Sequence, residues 1–160
     1  MPEKSEGIIG VVKIKPEPSK AIFAVEAASD LLEAARSEIR QKKFDEAYED
    51  ARNAIRLASA GIMYNEGYIA STSEGAYGYI ERKGDRRMAE EWKDVEMKAP
   101  QNRGLIDKIL EFLRLKKGAE TTNELGARKA LAVAETFVKS ARSLVFMGGV
   151  PGWEQTVMKG

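Results

Sequence analysis

The sequence predicts an all-α fold: a four- or five-helix up-and-down bundle with an N-terminal extended, β-prone arm. Apolar residues recur at spacings of three and four over long stretches, the period of a helix that buries one face. Alanines concentrate on those stretches, combining high helix propensity with a side chain small enough to let two axes approach closely. A β-branched run at residues 8–14 stands ahead of Pro16 and Pro18 and departs from the helical period. A chain of 160 residues suffices for one domain with its own core. The expected organisation is an arm at 1–18, a bundle at 19–147 and a tail at 148–160.

Taken in order, residues 8–14 read as an arm or edge strand, because the two prolines that follow disfavour helix. Ser19 is the expected N-cap of the first helix, whose apolar positions are Ile22, Val25, Ala28, Leu32, Ala35 and Ile39. A break near Lys42 and Lys43 precedes the stripe Phe44, Ala47, Tyr48, Ala51, Ala54, Ile55, Ala58 and Ile62, a second helix antiparallel to the first. Aromatics then alternate with glycines from Tyr64 to Tyr79, with Ser71, Thr72 and Ser73 among them; the second helix is expected to stop here, and Gly75 and Gly78 read as turn residues. Residues 85–97 suggest a short exposed helix ended before Pro100. Leu105, Ile106, Ile109, Leu110, Leu113 and Leu115 mark a further helix, stopped by Lys116, Lys117 and Gly118. Thr121, Thr122 or Asn123 can cap the last helix, whose stripe runs from Ala127 to Val145 and is broken by Gly148 and Gly149.

The chain contains no His and no Cys. This removes the Ser-His-Asp triad, the His general base, thiol nucleophiles and His- or Cys-ligated zinc. The composition, 43% hydrophobic and 32% charged, is that of a folded globular protein. Lys and Arg number 26 against 25 Asp and Glu, a net charge of +1, which supplies no general field for nucleic acid or anionic membrane; any such binding must be local. No apolar run approaches the roughly 18 residues of a membrane span, and the start of the chain lacks a signal-peptide pattern. A cytoplasmic location is the expectation.

Two constellations carry candidate chemistry. Arg82, Lys83, Arg86 and Arg87, just after Tyr77 and Tyr79, combine cations for phosphate with aromatic rings for base stacking; the competing reading is a solvated surface with the tyrosines at the core edge. Glu90, Glu91 and Asp94 lie on one predicted helix, with Glu91 and Asp94 at i, i+3, and could hold Mg²⁺ for phosphate chemistry if a second acidic pair, such as one from Glu46, Glu49 and Asp50, faced them. Acidic pairs on exposed helices are also common solvated surface. Arg36, Arg40, Arg52 and Arg56 form a basic ridge that neighbouring acids can neutralise. The glycine clusters match neither a P-loop nor a dinucleotide fingerprint.

Asp30-Leu-Leu-Glu-Ala-Ala-Arg36, Lys43-Phe-Asp-Glu-Ala-Tyr-Glu-Asp-Ala-Arg-Asn-Ala-Ile-Arg56 and the long Ala-rich segment from Arg128 to Arg142 resemble the HEPN family of prokaryotic helical domains over about residues 20–146. The resemblance implies a helical fold, dimerisation through the long helices, and binding of nucleotides, RNA or a nucleotidyltransferase partner. Toxin members of that family carry a ribonuclease motif of Arg followed after four to six residues by His. Arg128 stands near the start of the last helix, but Ala132, Val133 and Ala134 follow it, so the catalytic half of the motif is missing. The expectation is therefore a non-catalytic binding or assembly module without a cofactor, as a homodimer, with Arg128 among its nucleotide contacts. The alternatives are a Mg²⁺-dependent all-α nucleotide pyrophosphatase and a purely structural interaction scaffold. The homodimer also follows from the arm, whose apolar residues 8–14 have no evident mate within the chain and would pair with the same segment of a second subunit or pack on its bundle.

Overall fold

The computed structural model describes residues 8–98 and 122–147. In chain order these form β1 (Val11–Lys13), α1 (Pro18–Arg40), α2 (Phe44–Glu66), β2 (Tyr68–Ala70), α3 (Ser73–Lys83), α4 (Arg86–Met97) and α5 (Thr122–Phe146). The all-α bundle with its β-prone arm is thus the observed architecture. The helix expected at 105–115, its basic stop and the tail at 148–160 lie outside the described residues.

Pro18 opens α1 at its first position, where its missing N–H would be unsatisfied in any residue. Glu17 is the N-cap, and the expected cap Ser19 falls inside the first turn instead. A short turn, with Lys42 at φ +63°, reverses the chain into α2. On the two facing helices Ala21, Ala28, Ala35, Ala47, Ala51, Ala54 and Ala58 are fully buried, which permits the close hairpin that the alanine pattern predicts. The apolar stripe of α1 starts at Ala21 rather than Ile22, which is 37% exposed.

α5 lies against both α1 and α2. Hydrogen bonds from Arg36 to Glu135 and from Arg142 to Ser29 fix it antiparallel to α1. α4 completes the bundle and runs antiparallel to α5, with Asp94 against Lys129 and Met88 against Ser140; toward α2, Tyr48 Oη donates to the Val95 carbonyl at 2.7 Å, and Arg56 pairs with Glu96. Trp92 meets Phe137 of α5 edge-on at 5.6 Å, and Phe137, Ile55 and Ile62 are fully buried. Contrary to the expected exposed helix, α4 buries Met88, Ala89, Trp92 and Val95, a stripe at i, i+4 and i+7 too sparse to stand out among its charges.

The largest departure from expectation is at residues 64–84. The aromatic and glycine alternation forms no extended loop; it contains β2 and the 11-residue helix α3. Gly67, at φ +88°, ends α2 in the left-handed conformation, and a side chain there would meet the Ile14 carbonyl at 2.9 Å. Gly75 and Gly78 are not turn residues. They lie inside α3, where a Cβ on Gly75 would stand 2.6 Å from the Gly10 carbonyl oxygen and one on Gly78 would stand 3.1 Å from Ile8. Their missing side chains are the groove in which the arm lies.

The arm accordingly finds its mate within the chain. β1 pairs antiparallel with β2 in the register Val11 with Ala70, Val12 with Ile69 and Lys13 with Tyr68, and Ile8 and Val11 are buried. Ser71 N–H donates to the Gly10 carbonyl at 2.8 Å and Ile14 N–H to Gly67 at 2.8 Å. The strand pairing that motivated a second subunit is satisfied internally, because β2 arises in the stretch where the second helix was expected only to stop.

Candidate functional site

Concave surface is the first requirement of a site. A cleft of about 340 Å³ opens between the second half of α2, β2, the start of α3 and Trp92 of α4. On α2, Arg56, Ala60, Met63 and Tyr64 fall at i, i+4, i+7 and i+8 and so share the face that walls it. Tyr68, Ile69 and Ala70 of β2 form the opposite side, and Ser71, Thr72 and Ser73 bring hydroxyls to its rim. Thr72 is the N-cap of α3 and accepts from the Gly75 N–H at 3.0 Å, so the positive end of that helix opens on the cleft.

Two other hollows compare unfavourably. A groove of about 770 Å³ between α1 and α5 has both its arginines engaged, Arg36 with Glu135 at 2.8 Å and Arg142 with the Ser29 hydroxyl at 3.3 Å. A hollow of about 140 Å³ beside Tyr48, Asp94 and Lys129 is smaller than the roughly 300 Å³ at which ligand pockets begin. In it, burial first, then the Asp94 charge, pushes the Tyr48 phenol up to about 12.

Among the described residues, Arg56 is the charged side chain lining the 340 Å³ cleft. It is half exposed, and it grips Glu96 with two hydrogen bonds, Nε to Oε2 at 2.7 Å and Nη2 to Oε1 at 2.8 Å. Glu96, only 12% exposed at its side chain, also accepts from Trp92 Nε1 at 3.1 Å and has Arg52 Nη1 at 3.6 Å. Arg52 is almost completely buried and pairs with Glu49. Hydrogen bonding to Glu96 outweighs desolvation and holds the Arg56 guanidinium above its usual range. Tyr77 packs edge-on against Trp92 at 4.5 Å, and burial, then the Glu96 charge, raises its phenol.

The sequence-derived binding residues are distributed elsewhere. Tyr79 is 1% exposed, donates to Glu66 and packs on Tyr68; its ring belongs to the core and has no face to offer a base. Tyr77 is half-buried with Lys93 over its ring at 5.8 Å. Arg86 faces Glu81 and Glu90, and Arg87 faces Glu91, in long exposed pairs that contribute little. Arg82 is exposed and Lys83 half-buried at the end of α3. Arg128 pairs with Glu124 at 2.9 Å one turn earlier on α5. None of these seven lines the cleft.

The acidic trio does not converge. Glu90 and Glu91 pair along α4, and Asp94 lies between Lys98 at 3.1 Å and Lys129 at 3.3 Å, which, led by the Lys98 hydrogen bond, lower its pKa. Among the described residues no three acidic side chains are grouped as metal ligands. Of the basic ridge, Arg36 reaches the expected neighbour Glu33 at 3.9 Å and Arg52 pairs with Glu49, while the closer carboxylate of Arg36 lies on α5 and that of Arg56 on α4.

What the sequence reading missed is the cleft. The signal was present in part: Ser71, Thr72 and Ser73 before Glu74 form a helix-start pattern, masked by the glycines after it. Compared with protein-family models, curated proteins and solved structures, the chain matches none.

Proposed function

We propose that this chain is a non-catalytic helical binding module, HEPN-like in plan, whose ligand is a nucleotide or the end of an RNA seated in the cleft between α2, β2 and α3. The observation that carries this reading is the juxtaposition of Arg56 with the half-buried rings of Tyr64 and Tyr68, backed by the buried Met63 and Trp92, in a cleft of about 340 Å³. Such a wall takes a planar ring, and a guanidinium takes an anion. The hydroxyls of Ser71 and Ser73 add polar contacts suited to a sugar or phosphate. The volume lies at the small end of ligand pockets, which favours one nucleotide unit over a tract of strand.

The Mg²⁺-dependent pyrophosphatase reading draws no comparable support, since Glu90, Glu91 and Asp94 each face cations. Thermal unfolding against AMP, ADP, ATP, short RNAs and Mg²⁺ tests the proposal. A ligand that binds only the folded state adds about 2.7 kcal/mol at a hundredfold excess over its Kd, so nucleotides are expected to raise Tm without metal. A shift that requires Mg²⁺ revives the hydrolase, and no shift with any nucleotide or RNA overturns the proposal in favour of a protein-interaction scaffold.

A further inference from the structure

Arg56 is not idle at the cleft wall. Its Nε–H and one Nη2–H both go to one carboxylate, at 2.7 and 2.8 Å, so an anion that takes this two-donor edge of the guanidinium competes with Glu96 for it. Removing the partner of a buried carboxylate is ordinarily destabilising, because the charge is left uncompensated. Here a second guanidinium, held through Nη2 by Glu49, stands beside the same carboxylate. Arg52 Nη1 lies 3.6 Å from Glu96 Oε1, just beyond hydrogen-bond length, and Arg52 Nε is buried with no hydrogen-bond partner among the described residues. Trp92 Nε1 holds Glu96 Oε2 from the other side at 3.1 Å.

We infer that Glu96 is the internal competitor of the cleft, exchanged from Arg56 to Arg52 when a ligand's terminal phosphate takes Arg56, so that the site selects phosphomonoesters over uncharged nucleosides. This rests on the cleft reading above. The exchange also discriminates among anions. A carboxylate ligand would merely repeat the two-oxygen grip that Glu96 already makes, whereas a terminal phosphate brings nearly two negative charges and three acceptor oxygens at neutral pH. Arg56 is the ligand contact, at 46% side-chain exposure; Arg52 and Glu96, at 10% and 12%, are positioning residues.

Trp92, in the cleft wall, and Trp153 are the two tryptophans of the chain, so the Trp153→Phe variant reports on Trp92 alone. Its fluorescence is titrated with AMP, adenosine and inorganic phosphate. AMP is expected to bind at least about tenfold more tightly than adenosine, the equivalent of one charge-assisted hydrogen bond. Glu96→Gln is expected to raise the preference for AMP over adenosine by about a further tenfold; a merely structural role for Glu96 would weaken both alike and leave the ratio unmoved. Arg56→Gln, at a half-exposed position, is expected to bring AMP down to the adenosine level. Should Glu96→Gln not fold, Glu96→Asp shortens the grip on Arg56 while keeping the charge, and shifts that preference in the same direction. Equal AMP and adenosine binding, or a ratio unmoved by both substitutions, overturns the inference while leaving the cleft as a nucleoside site. Failure of both AMP and adenosine to bind overturns the cleft reading itself.

Discussion

Glu38, near the end of α1, faces Asp50 and Glu46 of α2 across the hairpin, with Lys43 in the turn beside it. Burial first, then its hydrogen bond and repulsion with Asp50, push the Glu38 carboxyl up to about 7. The folded state therefore binds this proton more tightly than the unfolded chain, whose value is near 4.5. The stabilisation is fully present below about pH 4.5 and is lost as pH rises through about 7. Replacing Glu38 with Gln should flatten the fall in Tm across that window and leave the variant about 2–4 °C above the parent at pH 8, equivalent to about 1 kcal/mol. Thermal melts of both proteins between pH 5 and 8 check this; parallel curves would refute it. The same scale explains why the basic ridge was only half legible. That Arg52 and Arg56 are neutralised could be guessed from composition, but the shared carboxylate, Glu96, lies on another helix.

At the scale of elements, α3 shows intrinsic propensity being overruled. Two glycines in an 11-residue helix disfavour it by about 1 kcal/mol each relative to alanine, which is why the segment reads as a turn. Packing compensates, because Gly75 and Gly78 let the arm lie directly on the helix, with Gly10, itself at φ +83°, over Gly75. Gly75→Ala separates the two effects. Propensity alone forecasts a gain, whereas a Cβ only 2.6 Å from the Gly10 carbonyl forces the arm off. The expected result by denaturant unfolding is a net loss of about 1–3 kcal/mol. In a chain lacking residues 1–10 the sign should reverse to a small gain. A stabilising Gly75→Ala in the full chain would mean that the arm contributes nothing to α3. Deleting the arm removes Ile8 as well and should lower the stability of the single chain.

For the whole molecule, α1, α2, α4 and α5 share one core, with Phe137 at its centre touching Trp92. Phe137 is fully buried, so Phe137→Ala removes a whole ring from a close-packed interior. The expected loss is about 3–5 kcal/mol, seen as a lower urea midpoint with the slope unchanged. A loss under about 1 kcal/mol would mean that α5 packs loosely on α4. Trp92 joins this core to the cleft, packing on Phe137 on one side and giving Nε1 to Glu96 on the other. Rigid support of that kind is what a preorganised binding wall requires. No helix among the described residues is long and apolar enough to cross a membrane.

The sequence by itself determined the helical bundle, its hairpin and the buried stripes of α1, α2 and α5. Those follow from periodicity and alanine placement within single helices, which are local properties. The tertiary structure alone decided that residues 8–14 pair with 68–70, that a glycine-rich segment is helical, and that a cleft exists at all. Each depends on groups distant along the chain meeting in space: Gly10 with Gly75, and Arg56 with Glu96 forty residues later. A periodic pattern reports which face of an element is buried, but carries no register between elements, and a binding cleft is made of that register.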